Sequence, residues 1–189
     1  MQRLAISFFL LALGCGNSQD ETNTIPQPVP AESAPKTETP YGDSAQVKTY
    51  LTAINPFIQE VGKIHLDVNK VVGTSGQATV ANLAPAMKKA KPRLQSAIES
   101  FTKIEPPPLL ASLHADIKKL MLLRLDAYES TIRGWDREQD DGKLDPAVEA
   151  QAENALNAAN QLIRNLNKEM AQIYQALETT DSPTQTASP

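Results

Sequence analysis

The chain has 189 residues, 41% apolar and only 5% aromatic, with 22 acidic against 18 basic side chains and a net charge of −4. That balance argues against nucleic acid, whose partners usually carry a strongly basic domain or stripe, and the scarcity of aromatics adds nothing for base stacking. A single cysteine excludes an internal disulfide and leaves Cys15 free, intermolecular or modified.

The chain opens with Met1, Gln2 and Arg3, an apolar run from Leu4 to Leu13, then Gly14 and Cys15. One basic residue ahead of about ten apolar ones, with a small residue before the break, is the layout of a secretory signal, and the run is too short to cross a bilayer as a permanent helix. The segment Leu11-Ala12-Leu13-Gly14-Cys15 resembles the lipobox of bacterial lipoprotein precursors, with Ala12 where that family more often has Leu. The resemblance implies cleavage before Cys15, acylation of its thiol, and an extracytoplasmic protein held to the membrane of the cell envelope by its N-terminal lipid. Gly16, in place of a retaining Asp, implies the outer membrane facing the periplasm in a cell with two membranes. Several acyl chains would give the stable anchoring that one chain does not. Ala12-Leu13-Gly14 is also a passable site for a peptidase that needs no cysteine. Removing residues 1–14 takes away Arg3 and leaves the remainder one unit more negative.

Residues 15–43 are rich in Asn, Ser, Gln, Thr and Glu, with prolines at 26, 28, 30, 35 and 40, and are expected to form a disordered tether, part coil and part polyproline II. Residues 179–189, rich in Thr, Ser and Pro, are expected to fray as a tail.

Between them, residues 44–178 carry four helical stripes. Val47, Tyr50, Ile54, Phe57, Val61, Ile64, Val68 and Val71 alternate by three and four, and Leu51, Ile58, His65 and Val72 form an adjoining row that widens the stripe beyond a two-stranded seam. The second stripe is Val80, Leu83, Met87, Ala90, Leu94, Ala97, Phe101 and Ile104. Pro85 and Pro92 fall opposite it, and Pro56 lies off the seam of the first stripe, so bent rather than broken helices are expected. Pro106-Pro107-Pro108 makes a stiff corner before a third helix running to about Trp135, with Leu110, Leu113, Ile117, Met121, Leu125, Tyr128, Ile132 and Trp135 inward. Asp136 to Asp145 reads as an acidic loop. Asp145-Pro146 then caps a fourth helix with Ala152, Leu156, Ala159, Ile163, Leu166, Met170, Ile173 and Leu177 inward. The expected fold is all-α, an up-down-up-down four-helix bundle.

The candidate ligands are sparse. His65 and His114 are the only histidines, and if alternate helices run parallel they stand about 20 Å apart, too far to share one iron. Covalent haem needs two cysteines, and the Glu-x-x-His motif of di-iron bundles is absent. Each His precedes an acid by two positions, Asp67 and Asp116, but residues i and i+2 point to nearly opposite sides of a helix. A His–Met haem using Met87, Met121 or Met170 is the alternative cofactor reading, as a haem or metal carrier. The acidic loop misses the calcium-loop pattern, with Arg137 in the first ligand position and Val148 in place of the bidentate Glu.

Two surfaces are candidates for partners. Leu120, Leu122 and Leu123 make the third helix apolar on more than one side, either because it lies deepest in the bundle or because it meets a protein partner. Lys88, Lys89, Lys91 and Arg93 form the one basic cluster, either a solvated face or a patch for anionic groups. No Ser-His-Asp grouping, phosphate-binding glycine loop or coupled carboxylate pair stands out, so an enzyme is not expected and no cofactor is assigned. The sequence points to a lipid-anchored binding or scaffolding module of the bacterial cell envelope.

Overall fold

The computed structural model describes residues 38–75, 79–143 and 145–181. The leader, Cys15, most of the tether and residues 182–189 lie outside them. The architecture is an all-α four-helix bundle of α1 (Ser44–Ser75), α2 (Val80–Phe101), α3 (Ala111–Asp141) and α4 (Pro146–Asp181), with a short 3-10 turn at Pro108–Leu110 leading into α3. Among the described residues no helix is long and apolar enough to cross a membrane.

Local chemistry sets the helix ends. Asp43 Oδ1 accepts from the backbone N–H of Gln46 at 3.0 Å, Thr79 Oγ1 from that of Asn82 at 3.2 Å, and Asp145 Oδ1 from that of Ala147 at 3.0 Å, each satisfying a donor that the first turn leaves over. Pro146 follows Asp145 at the first helical position, as the sequence predicts. Pro56, Pro85 and Pro92 sit inside α1 and α2 with their rings exposed, so the helices continue through them and water can reach the freed carbonyls.

The core follows the stripes. Val47, Ile54, Ile64, Leu94, Phe101, Leu113, Met121 and Ile173 are almost wholly buried, and Leu83, Met87, Leu166 and Leu177 join them. Consecutive helices pack against one another, α3 most extensively against α4. On the face of α3 beyond Met121 the buried residues are small: Ala127, Ser130, Thr131 and Gly134. On α4, Ala152, Ala155 and Ala159 are buried as well, so two slim faces let these helices approach closely.

Two boundaries differ from the sequence reading. The expected acidic loop at 136–145 is mostly helix: α3 runs on to Asp141 and stops where Gly142 adopts a left-handed φ of 69° and donates its N–H to the Glu138 carbonyl at 2.9 Å. Only glycine takes that conformation readily, so it, rather than the run of acids, ends the helix. The last residues of the expected tether also have structure. Glu38–Thr39 (β1) and Gly42–Asp43 (β2) form a two-stranded antiparallel hairpin, its turn held by Thr39 Oγ1 donating to the Gly42 carbonyl at 2.8 Å and by Gly42 at φ 105°. Tyr41 packs on the core, and the hairpin bridges α1 and α4 at the end where the chain enters the bundle.

Candidate functional site

The bundle does not close evenly. Among the described residues α1 and α4 make little direct backbone contact, and the seam between them opens into a cavity of about 300 Å³ floored by α3. Its walls are largely apolar: Ile58 and Val61 from α1, Ile117 and Met121 from α3, Leu166 and Met170 from α4. Ile58 and His65 belong to the row adjoining the first stripe, which explains the row's use: part of it closes the core and part faces this opening. Leu66, 45% exposed, stands at the rim.

Arg124 lines this cavity and is only 6% exposed. Among the described residues no carboxylate pairs with it. Its Nη1 donates to His65 Nδ1 at 2.6 Å and it shares a hydrogen bond with the Tyr128 hydroxyl, while Nε, also buried, has no partner. A guanidinium withdrawn from water without a counter-ion costs on the order of several kcal/mol even after relaxation. Burial accordingly lowers the Arg124 pKa from its usual value, opposed by Tyr128, and burial raises that of Tyr128.

His65 reports the same electrostatics. Burial, and then the charge on Arg124, pull its pKa down to about 4, so the ring is neutral at ordinary pH. Since Nδ1 accepts from a guanidinium that keeps its protons, the neutral ring carries its hydrogen on Nε2. Asn69 Nδ2 lies 2.8 Å from Nε2, and the other orientation of the same amide would present its oxygen to accept that hydrogen. Both ring nitrogens are thereby engaged.

His114 belongs to a different level of the bundle, about 22 Å along α1 from His65 at 1.5 Å per residue. Its Nδ1 lies 3.1 Å from the Tyr50 hydroxyl and its ring stacks on Phe101 with centroids 4.3 Å apart. Burial lowers the His114 pKa and raises that of Tyr50 to about 12. Met121 and Met170 line the cavity beside His65, and Met87 is buried in the core. Among the described residues no group of three or more His, Cys, Asp or Glu could hold a metal ion.

The other candidates separate. Leu120 is half-buried in the cavity wall, Leu123 is half-buried, and Leu122 is 45% exposed. Leu120 and Leu122, two positions apart, point to nearly opposite sides of α3 and form no common patch. In the basic cluster, Lys88 pairs with Asp136 at 3.3 Å, Lys91 with Glu129 at 2.8 Å, and Arg93 with Glu60 at 2.8 Å and Asp67 at 2.9 Å. These charges tie α2 to α3 and α1, and Lys89 alone of the four has no ion pair among the described residues. In the expected loop, Arg137 pairs with Asp145.

Sequence reasoning missed Arg124. It stands three residues after Met121 and four before Tyr128, so a charged residue on a seam position was the available signal. The chain matches no protein-family model, no curated protein and no solved structure.

Proposed function

We propose that this chain is a lipid-anchored, extracytoplasmic binding module of a bacterial cell envelope, whose ligand enters the seam between α1 and α4. The anchoring half of the reading rests on the leader and on Cys15 at its end. The binding half rests on one observation: a buried guanidinium, with no carboxylate paired to it among the described residues, lines an open apolar cavity. Packing alone gives no reason for that charge, whereas a few polar groups converging on an apolar pocket are how small-molecule sites obtain orientation and specificity. Cavities of this size sit at the small end of such sites.

A protein-scaffolding role through the third helix has less support, because Leu120, Leu122 and Leu123 do not share a face. A haem or metal carrier has less support too, since both nitrogens of His65 hold partners and a cation beside Arg124 would be repelled.

The anchor is tested with Cys15→Ser, which should move most of the protein from the membrane to the soluble fraction; equal retention after a carbonate wash refutes it. The site is tested with Gly62→Phe. Gly62 lines the cavity, and a Cβ there meets nothing within 4 Å, so the position has room for a side chain to begin and an aromatic ring is expected to block the opening. Saturable binding of a hydrophobic dye should disappear in this variant with helicity unchanged.

A further inference from the structure

We propose that the cavity between α1 and α4 binds the carboxylate of a single-chain amphiphile, with Arg124 as counter-ion and the acyl chain lying along the apolar wall. The inference rests on the seam being a ligand site, and adds the chemical class of what fills it.

Charge supports it first. The chain carries more acids than bases, yet the cavity lining contains two cationic side chains, Lys63 and Arg124, and no carboxylate. An acidic protein that lines one opening with cations alone has left the negative partner to come from outside. The groups facing Arg124 agree: His65 from α1 is neutral and takes one N–H, Tyr128 on α3 itself offers a hydroxyl, and Asn167 from α4 lines the cavity as a neutral amide. None compensates the charge.

Geometry supports it next. Guanidinium is a planar fork that meets a carboxylate with two parallel hydrogen bonds, and Arg124, which lines the cavity, has its buried Nε without a partner. Lys63 is exposed to solvent, so the buried part of the site holds one cation, Arg124, and a single carboxylate matches it. The wall sets the rest of the molecule. Ile58, Ile117, Leu120, Ile163 and Leu166 offer methyl and methylene surface from three helices, and the seam is open at Leu66, so a chain longer than the cavity can run out along the groove. A volume of about 300 Å³ accepts one aliphatic chain more readily than two.

The test uses the unlipidated Cys15→Ser chain and three probes of equal chain length below their micellar concentrations: dodecanoate, dodecanol and a dodecanoyl lysophosphatidylglycerol. Calorimetry should give one dodecanoate site, weakened about tenfold or more by Arg124→Met, with dodecanol weaker and insensitive to that change. Carboxyl-labelled dodecanoate should show its bound carboxyl titrating below the free acid, a readout that a purely structural role for Arg124 would not move. Gly62→Phe should abolish binding of both. Dodecanoate and dodecanol binding equally well, both lost in Gly62→Phe, overturns the carboxylate assignment and keeps the ligand site. Tighter, Arg124-dependent binding of the lysophospholipid overturns it in favour of a phosphate headgroup. No binding of any probe, or a dimer in sedimentation that Gly62→Phe dissolves, overturns the ligand site as well.

Discussion

The neutral His65 makes this bundle sensitive to mild acid, and the size of the effect follows from the site. In the folded protein, burial and Arg124 hold the ring's pKa at about 4, against 6.5 for an unperturbed histidine. Between those values the unfolded chain binds a proton that the folded one refuses. Stability therefore rises with pH across that window, is fully present above about 6.5 and is lost as pH falls to about 4. A displacement of that extent corresponds to roughly 3 kcal/mol, an upper bound because the ring keeps part of its solvent. That is a large share of the roughly 5–15 kcal/mol by which domains are usually stable.

The assay is urea unfolding followed by circular dichroism at pH 7.5, 6, 5 and 4.5, on the wild type and on His65→Gln. Glutamine can accept from Arg124 through its carbonyl oxygen but does not titrate. At a urea dependence near 2 kcal/mol per molar, the wild-type midpoint should fall by about 1 M or more over this range. His65→Gln should retain only the shallower slope left by His114, whose pKa burial also lowers. Working above pH 4.5 keeps the measurement clear of carboxylates such as Asp67, which hydrogen bonds from Arg93 and Lys70 hold below the usual range. Parallel slopes for the two proteins would refute the placement of a neutral, buried His65 beside Arg124.

Three further outcomes follow from packing and charge. Arg124→Met should stabilise the ligand-free chain by about 1 kcal/mol or more, because it removes an unpaired buried charge from an apolar seam, and should move the His65 titration seen by NMR up toward 6.5; destabilisation would show the charge to be compensated. Gly62→Ala should add about 0.5–1 kcal/mol of stability, since Gly62 lies inside α1 with open space where the methyl group goes, and an unchanged melting curve would contradict that geometry. Leu94→Ala, at a fully buried position, should cost about 2–5 kcal/mol, whereas Lys91→Ala should cost about 1 kcal/mol or less because its pair with Glu129 is half-exposed; comparable losses would put the helix faces in the wrong places.

The bundle was legible because each helix repeats its apolar side chains at intervals of three and four over many turns, a pattern that little else satisfies. The stops were less legible. Acids are unfavourable near a helix C-terminus, and Asp136 to Asp141 therefore read as loop, yet α3 keeps its hydrogen bonds until Gly142 supplies the left-handed turn. The hairpin at residues 38–43 was hidden by its proline and polar composition. It exists because α1 and α4 give Tyr41 somewhere to pack.

Arg124 was hidden by a choice of register. From Met121 a three-four repeat can pass through Leu125, Tyr128, Ile132 and Trp135, or through Arg124, Tyr128 and Thr131. Hydrophobicity favours the first path. The structure buries the second and leaves Leu125, Ile132 and Trp135 half-exposed. A straight α-helix drifts by about 20° per heptad against a fixed seven-residue repeat, so a stripe cannot hold one seam for four heptads unless the helices supercoil. In α3 the drift is resolved toward α4, where Ala127, Ser130 and Gly134 allow a close approach, and Arg124 is carried inward with them.

That inward placement is what distinguishes Arg124 from an ordinary core defect. The next residue, Leu125, is apolar and only partly buried, whereas Arg124 is 6% exposed. Around it stand a neutral imidazole that takes one of its N–H groups, a tyrosine hydroxyl, and the opening between α1 and α4, which among the described residues make little direct backbone contact. Where local preference and global fold disagree at one residue, a functional site is the usual reason, and that is the ground on which the proposed anionic ligand of Arg124 rests.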